Sequence, residues 1–97
     1  MRVISRKTLR NFWEAHPDGE QPLKAWHSEA EKATWTKPAD IKARYRSASF
    51  VGSDPVVFDI GGNKYRLVVA VRYDAGLVLV RFIATHEDYD DIEVATI

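Results

Sequence analysis

The segment from Val57 to Asp90 constrains the fold of this chain more than any other. It reads VFDIGGNKYRLVVAVRY and then LVLVRFIATHEDYD, two apolar-rich runs with a period of two. Successive side chains of a strand point to opposite faces. Leu67, Val69 and Val71 therefore share one face of the first run, and Lys64, Arg66, Val68, Ala70 and Arg72 share the other. In the second run Val78, Val80 and Phe82 are uniformly apolar, whereas Leu79, Arg81 and Ile83 include a charge. The uniformly apolar sets belong on a covered face. Aligning them requires a two-residue hairpin loop at Ala75-Gly76 with Asp74 opposite Leu77, because a three-residue loop with Tyr73 opposite Leu77 would carry Arg81 into the core. The predicted register leaves Arg66 and Arg81 on one open face and puts Leu67, Val69, Val80 and Phe82 on the buried one. Gly61-Gly62-Asn63 turns the preceding strand into this pair. Thr85 can then cap a final turn carrying His86 and Tyr89.

The covering layer is legible upstream. Arg2 to Ile4 is apolar enough for a short edge strand, Ser5 is a plausible N-cap, and Leu9, Phe12, Trp13 and His16 follow helical spacing. Pro17 ends that helix. Asp18 with Gln21 has the spacing of a capping box, Pro22 suits a first turn, and Leu23, Trp26, Ala30 and Ala33 or Thr34 continue a second apolar stripe. Lys37-Pro38-Ala39-Asp40 opens a short helical turn with Ile41 and Tyr45, before a strand from Val56 to Ile60. The reading is an α+β domain, a small twisted and mainly antiparallel sheet packed on an N-terminal helical hairpin.

At 97 residues the chain has room for one small domain, residues 1–97, with a single core. No run approaches membrane-spanning length and no segment resembles a signal peptide, so a cytoplasmic location is expected, without membrane partners. Cysteine is absent, which removes disulfide and thiolate chemistry, and His16, His27 and His86 have no metal-ligand spacing. No cofactor or metal is expected. The formal net charge of zero conceals an asymmetry: ten basic and six acidic residues precede Ser47, and four basic and eight acidic follow. The late acids gather in Glu87, Asp88, Asp90, Asp91 and Glu93, which leaves a positive body suited to a polyanion. Arg6, Lys7 and Arg10 crowd the first helix's amino end, where the macrodipole already supplies positive charge, so that either a phosphate or an acidic partner segment would offset the cost, or the side chains simply point into water.

The motifs VFDIGGNKYRLVV and VRFIATHEDYDDI, with ISRKTLRNFWEAHPD before them, resemble the HigB family of bacterial type II toxins, a branch of the RelE-like mRNA interferases. The resemblance covers essentially the whole chain. Members of that family usually read FNIGGN, so Asp59 is a departure, and a proline commonly lies where this chain has Arg46. A RelE-like fold is implied, with mRNA cut endonucleolytically, without metal and in the ribosomal 30S A site, so that translation and growth stop. The implied partner is a HigA-like helix-turn-helix antitoxin, with operator DNA bound only by the complex of the two.

Metal-free RNA cleavage needs a base for the ribose 2′-hydroxyl, positive charge for the phosphate, an acid for the leaving 5′-oxygen and groups that align them. Imidazole titrates nearest neutral pH, which makes His86 the candidate proton carrier. Arg66 and Arg81 are cations able to fork onto phosphate oxygens as charge builds, and Arg72 extends the same basic row. Tyr89 can orient the nucleophile or stack on a base. Lys64 can contact phosphate or transfer a proton. Each also has a plain structural reading: His86 as a cap, Tyr89 as packing, Arg66 and Arg81 as partners of Asp90 or Asp91, and Gly61 and Gly62 as turn devices. Two rival functions share the fold, a gyrase-inhibiting toxin of the ParE type, which is not a nuclease, and a non-catalytic RNA-binding module.

Overall fold

Five strands form one sheet in the order β1-β5-β4-β3-β2, in a computed structural model that describes residues 1–52 and 55–91. The strands are β1 (Arg2–Ile4), β2 (Ser49–Phe50), β3 (Pro55–Ile60), β4 (Tyr65–Arg72) and β5 (Leu77–Thr85). All neighbours are antiparallel except β1, which runs parallel to β5. The helices are α1 (Arg6–Ala15), α2 (Glu20–Lys32), α3 (Pro38–Arg44) and α4 (His86–Asp90), with a single 3₁₀ turn at Pro17–Gly19 between the first two. This is the expected α+β arrangement. The two-residue β2 is too short to show an alternation and was not anticipated.

The helical hairpin packs where its apolar spacing requires. Leu9 and Trp13 of α1, and Leu23, Trp26 and Ala30 of α2, are buried one turn apart. They meet Phe58 and Ile60 of β3, Leu67, Val69 and Val71 of β4 and Val78 of β5 in one cluster, which Trp35 and Ile41 complete. Phe58 is nearly sealed by an edge contact with Trp26 at 5.4 Å and one with Tyr45 at 5.0 Å between ring centroids. The edge strand β1 is guarded, because the Val3 N–H donates to the Glu31 carboxylate of α2 at 2.9 Å and is not left for another chain.

Two details of the predicted hairpin are wrong. Arg72, not Asp74, stands opposite Leu77, so the loop is the four residues Tyr73–Gly76. Gly76 closes it at φ 68°, and the Ala75 N–H returns to the Arg72 carbonyl at 3.2 Å. A shift of two residues preserves the faces, so Val69, Val71, Val78 and Val80 still lie toward the helices. The faces change further along, where Val69 pairs with Val80 but Val68 pairs with Phe82. Arg81 is the extra residue of a β-bulge, and one inserted residue reverses the alternation beyond it. Phe82 therefore packs on the open face with Val68 and does not join Val80 under the helices, while Ile83 turns inward opposite Leu67. Arg81 itself is exposed.

The capping box is absent. Ser5 precedes α1 with extended backbone angles, but its hydroxyl meets Thr8 Oγ1 at 3.0 Å and caps no N–H. Asp18 lies in the 3₁₀ turn, and α2 starts only at Glu20. Its carboxylate is used at long range, accepting from the Tyr65 hydroxyl and from Lys64 Nζ, the latter at 2.9 Å. Two donors, one of them charged, compete successfully with a single backbone N–H. Gly19 lets the turn approach closely, since a Cβ there would lie 3.2 Å from the Tyr65 ring.

Candidate active site

The β3–β4 turn and the adjoining end of β5 gather most of the candidate residues. Gly61, at φ 64°, and Gly62, at φ 72°, occupy the left-handed region and reverse β3 into β4. The turn ends at Lys64, whose carbonyl accepts the His86 N–H at 2.9 Å. Thr85 precedes α4 with extended angles, and its side-chain oxygen accepts the Asp88 N–H at 3.1 Å, so the expected cap is formed. Glu87 and Asp88 occupy the first turn, where acids suit the positive helix end.

His86 opens α4 with its ring partly exposed, and Nδ1 lies 3.3 Å from Asp90 Oδ2 one turn on. A carboxylate beside Nδ1 favours a proton on that nitrogen and leaves Nε2 as the atom that can take another. The i,i+4 spacing of His86 and Asp90 was available in the sequence as a signal for this pair. Tyr89 lies on the open face with Phe82 and Val51, over Val57 and Val68. Its ring, carried by α4, is thus partly a packing element and remains partly exposed.

The cations are treated differently. Lys64 was placed by alternation on the Arg66 face, but it belongs to the turn and not to β4, and its ammonium pairs with Asp18. The Tyr65 bond and then the Lys64 bond hold the Asp18 carboxyl below its ordinary range, and the same contact raises the Tyr65 hydroxyl. Arg66 is directly opposite Asp59, with Nε 3.2 Å from Oδ1 and a side chain only 12% exposed. Its partner is Asp59 across the strand, where Asp90 or Asp91 had been the structural expectation. A four-residue turn after Ile60 implies this pairing, so the spacing around GGNK could have revealed it. The Arg81 side chain forms no hydrogen bond or ion pair with any described residue. Arg72 stands six residues from Arg66, about 20 Å along the strand, at the far end of the sheet. Ala84 faces Arg66, and Arg81 lies three residues from Ala84, about 10 Å.

The acids Glu87, Asp88, Asp90 and Asp91 flank the site; Glu93 lies outside the described residues. A cavity of about 710 Å³ lies elsewhere, lined by residues that include Arg2, Glu31, Trp35, Tyr73 and Gly76 near the β4–β5 loop, and none of these groups lines it. Small-molecule sites are usually enclosed, whereas a site that reads an extended polymer lies open. The open side presents a cation that pairs with no described residue, an imidazole with a carboxylate behind it and an aromatic ring.

Comparison with known proteins converges on one group. The family model described as "HigB_toxin, RelE-like toxic component of a toxin-antitoxin system" matches residues 19–92. The "mRNA interferase toxin HigB" of Escherichia coli (strain K12) is 32% identical over 92 residues, which cover 93% of this chain and 88% of that protein. The proteins called "mRNA interferase HigB" in Escherichia coli O157:H7 and Shigella flexneri match to the same extent.

Proposed function

Because this chain belongs to the HigB family of RelE-like toxins, we propose that it is an mRNA interferase, the toxin of a type II toxin-antitoxin pair. It cuts messages through the ribose 2′-hydroxyl. His86 Nε2 takes the 2′-proton, the 2′-oxygen attacks phosphorus, the bond to the 5′-oxygen breaks and that oxygen is protonated as it leaves. Products are a 2′,3′-cyclic phosphate and a 5′-hydroxyl. Arg81 meets the phosphate as charge accumulates on its oxygens. Tyr89 stacks on a base beside the cleaved bond. Lys64 acts mainly through its carbonyl, since its ammonium is paired with Asp18, and Arg72 contacts the RNA backbone away from the cut.

The observation that carries this reading is the pairing of His86 Nδ1 with Asp90, at 3.3 Å, on an element anchored to the β3–β4 turn and following β5, whose Arg81 side chain is exposed and pairs with no described residue. Such an imidazole is oriented to move a proton at its outer nitrogen. No step requires a metal. The substrate is mRNA in the ribosomal 30S A site, where the small subunit aligns the message. The neutralising partner is a HigA-like helix-turn-helix antitoxin, and operator DNA is bound through that complex only. Incubating translating ribosomes with the purified chain in EDTA, at ionic conditions that keep ribosomes intact, should yield upstream fragments ending in a 2′,3′-cyclic phosphate. Cleavage that needs added divalent metal, or ends in a 3′-hydroxyl, would refute the mechanism.

A further inference from the structure

Asp59 has no part in that chemistry, yet it holds the most enclosed cation of the site. The Asp59 side chain is 25% exposed and faces Arg66 across the β3–β4 ladder. Arg66 Nη2 donates to Asn63 Oδ1 at 2.8 Å, and Nη1 lies 3.4 Å from the carbonyl oxygens of both Asn63 and Tyr65. All three guanidinium nitrogens are therefore engaged by protein oxygens. An arginine kept for phosphate would present its fork outward. This one turns its fork into the Gly61–Lys64 turn.

That turn needs a brace. Its own Lys64 N–H to Gly61 carbonyl bond is long, 3.4 Å, and a side chain at Gly62 would touch nothing. Its last carbonyl is the one that receives the His86 N–H. We propose that Asp59 is a positioning residue that acts through Arg66: the Asp59–Arg66–Asn63 clamp fixes the Gly61–Lys64 turn and so sets where His86 enters the site. The role rests on the nuclease reading and deepens it. Arg81 then carries the contact to the scissile phosphate, and Arg66 carries geometry.

The competing arrangement is that Arg66 binds phosphate and Asp59 merely restrains it. Removing the carboxylate separates the two. In the purified protein, Asp59→Ala should lower kcat about 10- to 100-fold with KM within about a factor of two, the signature of a displaced group and not of a lost contact. Asp59→Asn, whose amide oxygen can accept the same Arg66 bond, should recover most of the loss. Asp59→Ala combined with Arg66→Ala should be no worse than Arg66→Ala alone, because both changes break one clamp. Hydrogen exchange at the His86 amide should quicken in Asp59→Ala and in Asn63→Ala while the central β4–β5 amides stay protected. Asn63→Ala, at an exposed turn position, serves if Asp59→Ala does not fold. Activity of Asp59→Ala at or above wild type, multiplicative losses in the double variant, or unchanged exchange at His86 would each overturn the proposal. If the wild type cuts no RNA, the proposed function fails, and the exchange measurement still decides the clamp.

Discussion

Replacing Arg81 with alanine should separate catalysis from stability more cleanly than any other change in this chain. The side chain stands at a bulge, is exposed and bonds to no described residue. Its removal strands no described partner and, at an exposed position, opens no cavity, so unfolding free energy should stay within about 0.5 kcal/mol of wild type. The cost should appear only when charge develops on phosphate. Losing one preorganised donor to such charge costs roughly 3 to 4 kcal/mol of transition-state stabilisation, a rate loss of about 10²- to 10³-fold. Arg66→Ala should behave differently, because it leaves the Asp59 carboxylate partly enclosed without its partner and must destabilise the fold as well. The assay is single-turnover cleavage on programmed ribosomes beside chemical denaturation of the same preparations. An Arg81→Ala protein within tenfold of wild-type rate would refute the assignment of the phosphate contact.

Two further expectations follow from other parts of the molecule. The Tyr65 and Lys64 bonds depress the Asp18 carboxyl in the folded chain, so the carboxylate contributes stability above the ordinary aspartate value of 3.8 and loses it as pH falls through the lower folded value. Asp18→Asn should therefore flatten the acid side of the stability profile, and denaturation curves that stay parallel to wild type between pH 6 and 3 would contradict this. Arg6 and Lys7 lie exposed at the positive end of α1, with Arg6 5.5 Å over the Trp13 ring. Reversing both charges should weaken capture of the antitoxin without loss of helical signal, and an unchanged Kd would remove the acidic-partner idea.

How much was legible in the sequence depends on the range of the interaction. Helical stripes such as Leu9 with Trp13 and Leu23 with Trp26 are local, and they were read correctly because burial repeats with the helix turn. The strands of the sheet's centre were read from alternation for the same reason. The Phe82 face was misread because a single bulge residue reverses everything beyond it, and a bulge leaves no pattern in one strand alone. The use of Asp18 was misread because its partners lie 46 and 47 residues away, while a local capping spacing offered a nearer explanation. Lys64 was misplaced because the alternation of β4 does not extend back past Tyr65 into the turn. Thr85, His86 and Tyr89 were placed well, since a cap and one helical turn need only adjacent residues. The Asp59–Arg66 pair lay between these extremes, hidden only by the length of the turn that joins them.

The central claim is that His86, held by the Lys64 carbonyl and Asp90, moves a proton in RNA cleavage. Mapping new 5′ ends on cellular messages after inducing wild type or His86→Ala tests it most directly, with folding of both proteins verified. The account predicts abundant new ends bearing 5′-hydroxyls with wild type, and a loss of about 10²- to 10⁴-fold in cleavage by His86→Ala. Equal cleavage by the folded variant would contradict it, and growth arrest by the wild type without any new RNA ends would contradict the nuclease assignment altogether.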